Sequence, residues 1–126
     1  MALQESGEMY LETILVLSEK MANVRAIDIG EYMGFSKPSV SRAMGLLIND
    51  GYITRAEEGY IKLTKAGEKI AKRIYERHTV LTELLMGLGV DAKTAAEDAC
   101  RVEHYISDKT FNAIKAHSKK YGKKKK

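Results

Sequence analysis

The sequence predicts a mainly α-helical fold with one small β-hairpin, arranged as two helical units that a long helix connects. Three observations lead to this fold class. Apolar residues recur at helical spacing through most of the chain, residues 27–47 carry the signals of two helices joined by a tight turn, and two short strand-like segments follow. A chain of 126 residues, 44% hydrophobic and 30% charged, suits one or two small domains.

The first predicted helix begins near Glu8 and ends near residues 22–23, because apolar residues repeat along it at helical spacing. They are Tyr10, Ile14, Leu17 and Met21. Met9 and Glu12 are three positions apart and share a different face of this helix. Taken alone, the pattern favours core packing for Met9 and solvent exposure for Glu12.

Residues 27–47 carry the most specific pattern in the chain, which is typical of a helix-turn-helix. Gly34 suits the left-handed residue that ends a short first helix. Ser36 and Pro38 suit the N-cap and the first turn of a second helix. Gly30 lacks a side chain where we expect the two helices to cross closely, and Val40, Met44 and Leu47 are expected to hold the second helix to the core.

The outward residues of this second helix are hydrogen-bond donors, and no acidic residue lies between positions 36 and 48. They are Ser36, Lys37, Ser39, Ser41 and Arg42. Hydroxyl and backbone N–H groups at a helix N-terminus suit phosphate oxygens, and Arg42 suits a guanine edge in the major groove. The pattern therefore predicts DNA binding, and the alternative is a helical hairpin with a polar outer face.

Two short strands are expected next, over residues 52–55 and 60–63, so the first unit is predicted to be a winged helix. Arg55 and Lys62 are placed to contact phosphate. Glu57 and Glu58 lie at the tip of the hairpin and argue against its insertion deep into a groove.

Thr64 is expected to cap a long helix over residues 65–86, which carries His78. A helix capped by Asp91 and a final helix follow. Residues 119–126 are expected to form a disordered basic tail. The four lysines at the end of this tail equal the net charge of +4, so the rest of the chain is close to neutral.

The second unit contains a candidate metal site. A helix running from Asp91 to near Ser107 would place Cys100, Glu103 and His104 on one face. A thiolate, a carboxylate and an imidazole are all metal ligands, but three of them do not complete a coordination shell. The alternative is a half-buried helix with an apolar cysteine, a solvated glutamate and an exposed histidine.

Composition and motifs argue against several other classes of protein. The single cysteine excludes an intramolecular disulfide and fits a reducing cytosol. With no apolar run of about 18 residues and no signal-peptide pattern, we expect a cytoplasmic protein and no membrane partner. With no phosphate loop, H-E-x-x-H or nucleophile elbow, we expect neither an enzyme nor a small organic substrate.

Two motifs near opposite ends of the folded part support a family resemblance. They are Glu8-Met9-Tyr10-Leu11-Glu12-Thr13-Ile14, at the start of the winged helix, and Asp98-Ala99-Cys100-Arg101-Val102-Glu103-His104, followed by Ser107-Asp108. In combination they resemble the diphtheria toxin repressor family of metal-dependent transcription factors. The resemblance extends from about Glu8 to Phe111.

The resemblance implies a homodimer with a winged-helix DNA-binding domain over residues 1–64, a helical metal-binding and dimerisation domain over 65–118, and divalent metal between them. It matches His78 to a histidine that binds metal in both the iron and manganese branches of the family. It matches Met9, Cys100, Glu103 and His104 to side-chain ligands of the iron-type site. It matches Ser36, Pro38, Ser39, Ser41 and Arg42 to DNA contacts.

The chain departs from the iron-type pattern in three ways. Thr82 stands where a carboxylate is expected, although Glu83 is adjacent, and Ala96 stands where a histidine is expected. No C-terminal SH3-like domain is expected. In its length and in having Glu12, the chain is closer to the manganese branch. We therefore expect a hybrid, with one ion at Met9, Cys100, Glu103 and His104 and a weaker second ion at Glu12, His78 and Glu103.

The resulting hypothesis is a repressor of iron or manganese uptake genes that binds a double-stranded DNA operator when metal fixes the spacing of two recognition helices. Sulfur ligands favour Fe(II) over Mn(II), and Zn, Co or Ni would bind in vitro. The alternatives are a metal-independent regulator that responds to a small organic effector, and a metal-buffering protein without DNA specificity.

Overall fold

The computed structural model describes residues 5–121, with the side chains of residues 6–119, and confirms the predicted fold class. These residues form α1 (Glu5–Lys20), α2 (Ala26–Met33), α3 (Lys37–Asn49), β1 (Ile53–Arg55), β2 (Ile61–Leu63), α4 (Lys65–Gly87), α5 (Ala92–Val102) and α6 (Asp108–Tyr121). They divide into two compact units, of which unit 1 ends at Lys72 and unit 2 begins at Arg73, within α4. No helix among the described residues is long and apolar enough to cross a membrane.

The core of unit 1 forms around α1, in which Leu11 and Ile14 are fully buried. Three of the four predicted apolar positions of α1 are also buried in this core, whereas Met21 follows the end of the helix and is exposed. Ile29 of α2 and Val40 of α3 belong to the same cluster. The first helix therefore packs against the buried faces of α2 and α3.

The turn between α2 and α3 forms as the sequence predicts. Gly34 adopts a left-handed conformation with φ of 74°, and the Ser36 hydroxyl accepts a hydrogen bond from the Ser39 backbone N–H at 3.3 Å. A Cβ atom added to Gly30 would lie 3.4 Å from Val40 Cγ2 and from the Phe35 carbonyl oxygen, so the helices do approach closely there.

The hairpin is attached to the rest of unit 1 at both ends. β1 and β2 are antiparallel, with Ile53 opposite Leu63, and the Ile61 N–H donates to the Val24 carbonyl at 2.7 Å. A Cβ atom added to Gly67, in the first turn of α4, would lie 2.0 Å from the Tyr52 carbonyl oxygen. Only glycine fits at this position, because the backbone of the hairpin occupies the space of a side chain.

The predicted cap of α4 is confirmed. The Thr64 hydroxyl accepts a hydrogen bond from the Gly67 N–H at 3.1 Å and donates one to the Gly51 carbonyl at 2.7 Å. It thus joins the end of the helix-turn-helix to the start of the long helix. Ala71, two turns into α4, is fully buried in the core of unit 1.

Unit 2 contains the rest of α4 with α5 and α6. Asp91 caps α5 as predicted, and the hydrogen bond from the Thr94 N–H lowers the pKa of the Asp91 carboxyl below its ordinary value of 3.8. The prediction that α5 continues to near Ser107 is wrong, because the helix ends at Val102. α6 continues to Tyr121, so residues 119–121 of the expected tail are helical, and residues 122–126 lie outside the described part.

Candidate metal site and DNA-binding surface

The outer face of α3 is exposed as its sequence pattern predicts. Val40, Met44 and Leu47 are buried on one side of the helix. Ser36, Lys37, Pro38, Ser41 and Arg42 are exposed, and Ser39 is half-buried. The helix therefore packs on one side and presents hydroxyl groups and positive charge on the other.

Local hydrogen bonds leave the Ser39 hydroxyl available as a donor. The Ser36 hydroxyl donates to Ser39 Oγ at 3.0 Å while it accepts from the Ser39 backbone N–H. The Ser39 hydroxyl hydrogen can therefore point outward. A hydroxyl at a helix N-terminus is suited to a phosphate oxygen.

The exposed outer face of α3 extends beyond Arg42, which was the last outward residue predicted from the sequence. Gly45 and Asn49 are exposed, and Leu46 retains 64% of its accessible surface. A Cβ atom added to Gly45 would meet no protein atom within 4 Å. The helical spacing of these residues from Arg42 was a signal that would have identified them.

Tyr10 joins α1 to this part of unit 1. Its ring packs edge-on against Phe35, with ring centroids 5.8 Å apart. Burial raises the pKa of Tyr10 above 10.0, and the nearby charge of Arg42 opposes this shift to a smaller extent. Tyr10 of α1 therefore interacts electrostatically with Arg42 on the outer face of α3.

A cationic side chain that the sequence reasoning missed lies beside the hairpin. Arg25, at the start of α2, places its guanidinium carbon 4.7 Å from the centroid of the Tyr60 ring. Arg55 and Lys62 are exposed, as are Glu57 and Glu58 at the tip. The contact between Arg25 and Tyr60 comes from tertiary packing, so no sequence spacing indicated it.

Three of the predicted metal ligands come together in unit 2. His78 Nδ1 lies 2.9 Å from Glu103 Oε1, and Glu103 Oε2 lies 3.3 Å from His104 Nε2. The side chains of Glu103 and His104 have no accessible surface, and that of His78 retains 28%. A buried carboxylate is therefore flanked by two imidazoles.

Among the described residues, Glu103 Oε2 has no hydrogen-bond partner. A buried carboxylate oxygen without a donor is costly, so its presence calls for an explanation such as an ion. Carboxylate and imidazole groups are both ligands of divalent metals. The residues present therefore fit a divalent metal at this carboxylate.

The earlier end of α5 changes how these ligands are presented. Glu103 is the C-cap of α5 and His104 lies beyond the helix, whereas the sequence placed both within it. The Glu103 N–H still donates to the Ala99 carbonyl at 2.9 Å, so helical winding persists up to the first of these two predicted ligands. Cys100 is half-buried in the last turn of α5.

Two further predicted ligands belong to unit 1. Met9 and Glu12 are half-buried on α1.

On α4, Thr82 has a hydroxyl oxygen that is buried without a hydrogen bond in the described part of the chain, and the adjacent Glu83 is exposed. Glu83 is therefore not a buried substitute for the missing carboxylate.

The comparisons with known families cover nearly all of the chain. Residues 2–67 match the N-terminal DNA-binding domain of the iron-dependent repressor family. Residues 64–123 match the metal-binding and dimerisation domain of the same family.

Individual relatives agree with this match. The transcriptional regulator MntR of Escherichia coli O157:H7 is 32% identical over 115 residues, which are 91% of this chain and 74% of the relative. The manganese regulator SloR has a TM-score of 0.79 at 28% identity, and covers 93% of this chain and 54% of its own.

A manganese-dependent transcriptional repressor in complex with manganese has a TM-score of 0.81 at 26% identity, over 88% of this chain and 51% of its own. The chain thus spans about half the length of each of these two solved structures.

Proposed function

Because this chain belongs to the iron-dependent repressor family, we propose that it is a DNA-binding transcriptional repressor whose affinity for its operator depends on a bound divalent metal. The family consists of transcriptional regulators with a DNA-binding domain and a metal-binding and dimerisation domain. The genes under control are those for uptake of the same metal, so that a filled site stops further import.

The observation that carries this proposal is the arrangement around Glu103. Its carboxylate is fully buried, one oxygen contacts His78, and the other faces His104 without a hydrogen bond among residues 5–121. Removing a carboxylate from water costs several kcal/mol unless an opposite charge compensates for it. A divalent cation supplies that charge.

Two sets of ligands follow from the residue types and their match to the family. Met9, Cys100, Glu103 and His104 would hold the first ion, and Glu12, His78 and Glu103 a weaker second one. The contact between His78 and Glu103 supports the second set. Met9 and Glu12 belong to α1 of the DNA-binding unit, so an ion that they share with Glu103 would link DNA binding to metal.

We name Mn(II) first and Fe(II) second as the activating metal. The sulfur donors Met9 and Cys100 led the sequence reasoning to favour Fe(II), but the comparisons do not support that preference. Two of the similar solved structures are described as manganese regulators. Glutamate and histidine ligands are compatible with either ion.

DNA recognition is assigned to the outer face of α3, with Arg42 at a base edge and Ser36, Lys37, Pro38, Ser39 and Ser41 at phosphates or flanking positions. In a homodimer, two such helices would enter successive major grooves about 34 Å apart. A dimer whose Met9 and Glu12 share an ion with Glu103 would hold the two helices at this separation for a larger fraction of the time.

The test begins with selection of a duplex from a random-sequence library by the full chain in the presence of Mn(II). Binding of the selected duplex is then measured by fluorescence anisotropy during anaerobic titration with Mn(II), Fe(II) or Zn(II). We expect tight binding only with metal. Binding that a chelator leaves unchanged would instead favour a metal-independent regulator.

Two variants separate the parts of this proposal. Cys100→Ala should keep its fold and lose the response to metal, and an unchanged response would remove Cys100 from the first set. Arg42→Ala should keep metal binding. Loss of binding to the selected duplex in this variant would exclude a metal-buffering protein without DNA specificity, whereas a wild-type chain that binds metal but prefers no duplex would favour one.

A further inference from the structure

Arg77 is a buried cation that belongs to neither proposed set of metal ligands. It lies on α4 beside His78, and its side chain retains only 5% of its accessible surface. One terminal guanidinium nitrogen donates to the Glu103 carbonyl at 2.9 Å and to the Ile106 carbonyl at 2.8 Å, and the other terminal nitrogen donates to the Asp108 carboxylate. The guanidinium also lies 5.3 Å from the centroid of the Phe111 ring.

These bonds hold the segment between α5 and α6, which contains the ligands Glu103 and His104. The segment follows the end of α5 at Val102 and precedes the start of α6 at Asp108. Backbone carbonyls just beyond a helix end lack the regular partners of a helix and need other donors. Arg77 supplies two of them.

Glu103 is consequently held at two points from one helix. Arg77 bonds its backbone carbonyl, and His78, the next residue of α4, contacts its carboxylate at 2.9 Å. The remaining carboxylate oxygen, Oε2, is the one without a hydrogen bond in the described part of the molecule. Its position is therefore fixed before any ion arrives.

We propose that Arg77 is a positioning residue for the metal site, which sets metal affinity by holding the Glu103–His104 segment in its binding conformation. This inference rests on the proposed function, because it concerns the same carboxylate. A site that is already formed avoids the entropic cost of ordering its ligands when the ion binds. Groups that orient metal ligands without touching the metal typically contribute about 10–100-fold in affinity.

The chemistry of the contacts requires arginine rather than a positive charge alone. A guanidinium is planar and presents several N–H donors in fixed directions, so it reaches two carbonyls and a carboxylate together. A lysine ammonium is a single nitrogen and cannot span these acceptors. Arg77→Lys therefore keeps the charge and removes the geometry.

The test compares Arg77→Lys with the wild-type chain in two measurements. Mn(II) affinity is determined by competition with a fluorescent chelator, at a temperature well below the unfolding midpoint of the metal-free variant. Amide hydrogen exchange of residues 103–107 is measured without metal. We expect about 10–100-fold weaker Mn(II) binding and faster exchange in this segment.

Arg73→Lys is the matched control. Arg73 lies one turn earlier on α4, retains 47% of its side-chain surface and also bonds Asp108, at 3.3 Å. The same substitution there should leave Mn(II) affinity unchanged. If Arg77→Lys lowers only the unfolding midpoint and matches the wild type in Mn(II) binding, Arg77 is merely structural and the inference is overturned.

A second variant decides the case in which Arg77→Lys does not fold. Asp108→Asn removes the charge of the Asp108 carboxylate, which retains 70% of its side-chain surface and holds the Arg77 guanidinium in the orientation that reaches both carbonyls. It should fold and bind Mn(II) several-fold more weakly, and wild-type affinity would overturn the inference. A wild-type chain that binds no Mn(II) would overturn the proposed function itself.

Discussion

The outer face of α3 and the buried cluster of His78, Glu103 and His104 are both polar, but they are built in opposite ways. The first is exposed and comes from residues close together along one capped helix. The second is buried and joins His78 to Glu103 across 25 positions of the chain. Local sequence determines the first, whereas tertiary structure must form before the second exists.

This difference has a consequence for how each surface behaves without its partner. Water satisfies the exposed groups of α3. Water does not reach Glu103, whose side chain has no accessible surface. A buried carboxylate of this kind therefore needs an opposite charge within the protein or from an ion.

The strongest test of the buried side is Glu103→Gln. The amide keeps the size of the side chain and removes its negative charge, so it should lower Mn(II) affinity by about 100-fold or more and abolish metal-dependent operator binding. Isothermal titration calorimetry and anisotropy measure the two effects. Glu97→Gln, at an exposed position of α5, is the control. Equal Mn(II) affinity in both variants would mean that the buried carboxylate is not a ligand.

The contact between α4 and the backbone at Tyr52, within unit 1, is tested by Gly67→Ala. The added methyl group would meet the Tyr52 carbonyl, so the hairpin must move, and we expect a loss of about 1–3 kcal/mol in the free energy of unfolding. Urea denaturation measures it. Gly45→Ala is the matched control, because its methyl group has open space and should stabilise α3 by up to about 1 kcal/mol. Similar unfolding curves for the two variants would contradict the assigned contact.

The exposed side itself is tested by Arg42→Ala. Loss of one contact to a base edge should weaken operator binding by about 1–3 kcal/mol and relax specificity at one base pair. Mn(II) affinity should stay within error of the wild type, since Arg42 lies in unit 1 on the outer face of α3. A uniform loss across all DNA sequences would instead assign Arg42 to a phosphate.

The smallest expected effect concerns the cap at the start of α5. The lowered pKa of Asp91 means that its ionised form stabilises the fold above the ordinary value of 3.8, and this contribution is lost as the pH falls through the lower folded-state pKa. Asp91→Asn cannot titrate. The stability difference between the wild type and this variant should therefore be constant near neutral pH and change below about pH 4. A constant difference down to pH 2 would contradict the assigned cap.

Most of the fold was predictable because its signals are local. Ser36, Thr64 and Asp91 cap their helices through bonds to residues three positions away, and Gly34 ends α2 by its own conformation. The end of α5 was not predictable in this way. No Gly or Pro marks Val102, and two carbonyls of the turn that follows accept hydrogen bonds from Arg77, on a different helix.

The site was predictable only in its residue types. Family resemblance named His78, Glu103 and His104, but no spacing indicates that one oxygen of Glu103 lacks a hydrogen bond in the described structure. Gly67 and Arg77 were missed for the same reason. Each is explained by a backbone carbonyl that lies more than ten residues away in the chain.

The burial of Ala71 in the core of unit 1 bears on how the DNA-binding half would be expressed as a separate fragment. A fragment that stops at residue 64 omits Gly67 and Ala71, and leaves their contact surfaces on the hairpin and the core open to solvent. Such a fragment should aggregate. A fragment that extends to Lys72 keeps both residues, and it is the shortest fragment that we expect to remain soluble for crystallisation with DNA.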